Sequence, residues 1–62
     1  MLWFTETKSD NQIAINPKYV VAVFEVNDEG EFKGKTGISL TNGTVIVNDN
    51  TLTVVGSLQG AI

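Results

Sequence analysis

Sixty-two residues without a single Cys or His make one small domain, residues 1–62, that can draw on neither a disulfide nor a Cys/His zinc site. Four Lys and no Arg against seven Asp plus Glu give a net charge of −3, which disfavours nucleic acid, whose binders concentrate positive charge against phosphates and read bases with Arg. Lacking His, Cys and Arg, the chain has no ordinary general base, thiol nucleophile or bidentate clamp, so neither catalysis nor a cofactor nor a metal is expected.

A chain of this length buries only about 60% of its unfolded surface and lies near the lower limit for folding alone. With staples missing and 42% hydrophobic residues, self-association is the remaining way to bury apolar surface. A homo-oligomer is expected, with another protein as the alternative partner. Met1–Thr7 carries no basic leader and its apolar run is too short for a signal sequence. No segment reaches the roughly 18 apolar residues of a membrane span. The expected location is cytoplasmic, or within a phage particle or infected cell, with no membrane partner.

Leu2 to Thr7 reads as a first strand, rich in aromatic and β-branched residues. Lys8-Ser-Asp-Asn11 is a polar turn cluster, and Gln12 to Asn16 is a short second strand with Ile13 and Ile15 on one face. Two loop lengths fit this pair, so its register stays open. At Asn16-Pro17 the ladder breaks into a corner, because proline has no N–H and holds its predecessor extended. Tyr19 to Val26 is the third strand. Val20, Ala22, Phe24 and Val26 occupy one parity, and Tyr19, Val21 and Val23 precede Glu25 on the other. A strand apolar on both faces is normally covered on both, and so small a domain has little material for two covers.

Asn27 to Glu31 fits a three-residue loop, Asp28-Glu29-Gly30, with Gly30 as the left-handed residue of a bulge. That loop pairs Val26 with Phe32, Glu25 with Lys33, Phe24 with Gly34 and Val20 with Ile38, matching charges and laying an aromatic ring over a glycine. Asn42-Gly43 is a strong hairpin signal, since a type I′ turn needs φ > 0 at both central residues. It pairs Thr41 with Thr44, Leu40 with Val45, Ser39 with Ile46 and Ile38 with Val47. Ile38, Leu40, Val45 and Val47 then share a face. In Asn48 to Ile62, Leu52, Val55, Leu58 or Gln59, and Ile62 recur at helical spacing, with Thr51 as N-cap and Gly60 as terminator. Thr51-Leu-Thr-Val-Val55 is equally β-rich and Gly56 weakens a helix. Helix and strand both stay open.

The order Ile15-Asn16-Pro17, Val20-Val21, Leu40-Thr41-Asn42-Gly43, Val47 and Thr51-Leu52-x-x-Val55 resembles the small flagellar FlbD-type proteins, over Ile13 to Ile62. The resemblance implies a helical tail. Thr44 stands where that family has lysine after Asn-Gly, and the acidic residues of its helix are missing here. The strand, strand, hairpin and tail order is also similar to part of a LytTR-type DNA-binding domain, without the basic residues.

The expected fold is mainly β: a five-stranded antiparallel meander, curled or barrel-like, with a short C-terminal helix or a sixth strand. The expected function is a non-catalytic structural or interaction module acting as a homo-oligomer, of a kind suited to a phage or bacterial accessory protein. Its candidate interface is Trp3, Tyr19, Val21, Val23 and Ile46, where exposed aromatic and apolar residues suit a subunit contact. The alternative is a LytTR-like nucleic-acid-binding or regulatory module, which needs Lys18, Lys33 and Lys35 to gather on one surface. Binding of a small molecule in a barrel mouth is a third reading. Asp28-Glu29-Gly30-Glu31 and Asn48-Asp49-Asn50 hold hard oxygen ligands without the alternating spacing of a calcium loop, and read as turns and a helix cap. Asn42-Gly43-Thr44 is a glycosylation sequon in form, but the turn already accounts for Asn-Gly.

Overall fold

A computed structural model of the chain describes residues 1–27 and 30–61, Ala61 without its side chain. Five strands and two helical segments follow in order: β1 (Leu2–Thr5), β2 (Gln12–Ile15), a single 3₁₀ turn (Pro17–Tyr19), β3 (Val20–Glu25), β4 (Thr36–Leu40), β5 (Gly43–Val47) and α1 (Thr51–Ala61). They form two antiparallel sheets, β1-β2 and β3-β4-β5. The protein is mainly β, but the strands neither close a barrel nor run as one meander. A single bridge, Glu6 to Val47, joins β1 to β5. Thr7 N–H donates to Ile46 O at 2.9 Å and Asn48 N–H donates to Thr5 O at 2.8 Å beside it. β2 and β3 are not paired, because the corner at Asn16-Pro17 turns the chain from one sheet to the other. Asn16 Oδ1 accepts from Lys18 N–H at 3.0 Å to cap that turn.

In the first hairpin Leu2 faces Ile15 and Phe4 faces Ile13. This puts Leu2, Phe4, Ile13 and Ile15 inside, and Trp3 and Ala14 outside. The β4-β5 hairpin forms, but two residues out of the expected register: Leu40 faces Gly43, Ile38 faces Val45 and Thr36 faces Val47. The loop residues are therefore Thr41-Asn42, and Asn42 does not enter positive φ. A slip of two preserves side-chain parity, so Ile38, Leu40, Val45 and Val47 still share the inner face. What the slip gains is Thr36, drawn into the ladder above the start of α1. There its hydroxyl donates to Asp49 O at 2.6 Å, and Thr51 Oγ1 lies 2.9 Å away.

The β3-β4 pairing departs further. Glu25 faces Thr36, Phe24 faces Gly37, Val23 faces Ile38 and Val20 faces Leu40, with an irregularity at Val21. Of the expected loop, Asp28 and Glu29 lie outside the described residues, but the flanking ladder shows that the connection is longer. Val26 N–H donates to Lys35 O at 2.9 Å and Gly34 N–H to Val26 O at 3.0 Å. Gly34 holds a left-handed backbone, at φ 84. Lys33 consequently leaves Glu25 for the turn. An odd slip exchanges faces: Val23 now packs inward, and the bulge at Val21 restores Val20 to the same side, while Ala22 and Phe24 point out.

The tail is helical. Asn50 rather than Thr51 caps it, its Oδ1 accepting from Leu52 N–H at 2.9 Å, and Gly60 lies within the helix instead of ending it. The buried stripe is Val54 and Leu58; Leu52, expected on the inner face, is 82% exposed. Ile62, the last member of that spacing, lies outside the described residues. Phe4, Ile15, Ile38, Val47, Val54 and Leu58 make the core, drawn from both sheets and the helix.

Candidate functional site

The residues singled out for an interface do not fall together. Trp3 is 64% exposed, opposite Ala14 on the outer face of the β1-β2 sheet. Tyr19 closes the 3₁₀ turn and Val21 is the bulge residue of β3, 52% and 67% exposed. Val23 packs against the core. Ile46 is half-buried on the outer side of β5, in the cross-strand row Phe24, Gly37, Ile46.

Phe24, placed inward by the sequence reading, belongs to this surface. The tip of its ring comes so close to Gly37 that a Cβ there would fall under 3.0 Å from three ring carbons. Only a glycine in the centre strand permits that approach. The ring itself stays 44% exposed. The pairing of an aromatic with a glycine across two strands was legible; its partner and its face were not, because both depended on the length of the connection between Val26 and Lys35. Met1 and Leu52 are also exposed, and hydrophobicity alone gave no signal of it.

A groove of about 320 Å³ runs between the end of β2 (Ala14–Asn16), Tyr19 and the turn Leu40–Asn42. Its lining offers no carboxylate, amine or guanidinium, and its volume sits at the small end of ligand sites. Lys8, Lys18 and Lys33 are exposed on separate segments, a turn before β2, the 3₁₀ turn and the turn before β4. The hard oxygens of residues 48–50 are committed to the fold. Thr7 Oγ1 donates to Asn48 Oδ1 at 2.9 Å, Thr5 N–H donates to Asp49 Oδ1 at 3.1 Å, and Asn50 Oδ1 caps α1. Among the described residues no group of three or more acidic side chains is placed to hold a metal ion. Among the same residues no helix is long and apolar enough to cross a membrane.

The feature that organises this surface is β3. It lies at the margin of its sheet, carries Val21 and Phe24 outward, and has one charge, Glu25, at its end. Comparison with family models, with curated proteins and with solved structures finds no match.

Proposed function

We propose that the chain is a non-catalytic interaction module that works as a homo-oligomer, with Tyr19, Val21 and Phe24 as its apolar contacts. The observation that carries this reading is the marginal, nearly uncharged β3 with its exposed valine and phenylalanine. Soluble proteins normally blunt such an edge with charge, proline or a covering element, and patches of exposed apolar residues mark contact sites. Val23 is not among these exposed contacts, since its side chain packs against the core. Trp3 and Ile46 are secondary, one on the other sheet and one partly covered.

Light scattering at micromolar concentration tests the reading. A mass that is a multiple of 6.7 kDa is the expected result, and a lone subunit throughout that range overturns it. Retention of a labelled oligonucleotide at about 50 mM salt, lost as salt rises, would replace it with the LytTR-like alternative.

A further inference from the structure

We propose that two copies of the chain join edge to edge through β3, antiparallel, about a twofold axis passing between Val21 and Ala22. This rests on the homo-oligomer reading and specifies how the copies meet. β3 is paired on one side only, with β4. The peptide groups of its other side are a template for a further strand. Adding a copy would merge two three-stranded sheets into one of six strands.

The register follows from the bulge. Along β3, Val20 and Val23 face the core, whereas Ala22 and Phe24 face out and Val21 is exposed. In an antiparallel pair, residues directly opposite point to the same side. With the axis between Val21 and Ala22, Ala22 meets Val21 of the partner subunit, Val23 meets Val20 of the partner subunit, and Phe24 meets Tyr19 of the partner subunit. Inner faces inner and outer faces outer at every step. A shift by one residue mixes the two sides. Centring on Val23 keeps the sides in the middle of the strand, but sets the Glu25 carboxylate against an apolar Val21.

Charge complementarity selects the first register. It brings exposed Glu25 to the end of the pair, beside the 3₁₀ turn of the other copy, where the long side chain of exposed Lys18 of the partner subunit reaches it, once at each end. The sheet already extends to the Tyr19 position, since Thr41 N–H donates to Tyr19 O at 3.2 Å. The two bulges then face each other across the axis, so their extra local twist is shared by both strands. α1 also packs against β3, and its Val54 and Leu58 lie in the core.

The absence of native cysteine makes the test direct. Phe24→Cys, Tyr19→Cys and Ala22→Cys variants, each alone and the first mixed in equal amounts with each of the others, are oxidised at a concentration where light scattering shows association. The expected product is a mixed disulfide between Phe24→Cys and Tyr19→Cys chains, with little cross-linking of Phe24→Cys to itself. Directly opposed positions come within disulfide reach and positions five residues out of register do not. In parallel, Glu25→Lys and Lys18→Glu should each weaken association roughly threefold or more, and the double variant should restore it. If an associated protein cross-links Phe24→Cys preferentially to Ala22→Cys, or cross-links none of these positions, this register or this edge is wrong while the oligomer reading stands. If the wild-type chain scatters as a monomer, both fall together.

Discussion

At the scale of single residues, Thr36 and Gly37 do different work in adjacent positions. Thr36 is fully buried, and its one hydroxyl proton goes to Asp49 O. Thr51 therefore donates to Thr36 Oγ1 rather than the reverse. Thr36→Val keeps the shape and strands both partners, so it should cost about 1–3 kcal/mol. Thr36→Ser keeps the hydroxyl and loses one methyl, which should cost about 1 kcal/mol. Urea titration of both variants decides the matter; a valine variant no less stable than the serine variant would mean that the hydroxyl is dispensable. Gly37→Ala meets only the tip of an exposed ring, which can swing away. The expected loss is therefore modest, about 1 kcal/mol of ring packing. In a Phe24→Ala background the same substitution should be neutral or stabilising, because alanine loses less entropy than glycine in a strand. The coupling energy of that double-mutant cycle is the measurement.

At the scale of elements, α1 shows what local signals do and do not carry. Its existence was one of two open readings, since Thr51 to Val55 suits a strand as well as a helix. Tertiary contact decided it: Val54 and Leu58, four apart, fill the space between the sheets. The same choice turned Leu52 into solvent. Gly56 is exposed in the middle of the helix, and a Cβ there would meet nothing within 4 Å. Gly56→Ala should raise stability by about 0.5–1 kcal/mol. Asn50→Ala should lower it by about 1 kcal/mol through loss of the cap. For a domain of this size each kcal/mol moves Tm by about 4–8 °C, so thermal melts followed by far-UV circular dichroism will resolve both. The hairpins were easier to read than their registers. Alternating valines and isoleucines define strands and faces, but a slip of two in β4-β5 leaves every face unchanged and so leaves no trace in the pattern. The slip of three in β3-β4 came from a connection longer than its turn residues announce, and the bulge at Val21 then trimmed it to two at Val20.

At the scale of the whole molecule, six buried apolar side chains among the described residues are a small core. Stability is then coupled to assembly. If copies associate as proposed, Tm should climb as protein concentration rises over two decades, by mass action; a Tm that stays flat while scattering shows oligomer would place association outside the folding equilibrium. That so short a chain has little apolar material to bury was legible from composition and length. That the exposed margin is β3, and that its interior face is already filled by Val23, was not, because it depends on contacts between segments far apart in the chain. The stitch from Thr5 and Thr7 to residues 46–49 has its own bearing on kinetics. One of its hydrogen bonds spans 44 positions, so the loop it closes is among the longest this polypeptide offers. Local pieces such as the Thr41-Asn42 hairpin assemble without it. β1 must wait, during synthesis, for residues 46–49 to emerge before its clasp exists, which makes that late closure the natural rate-limiting event.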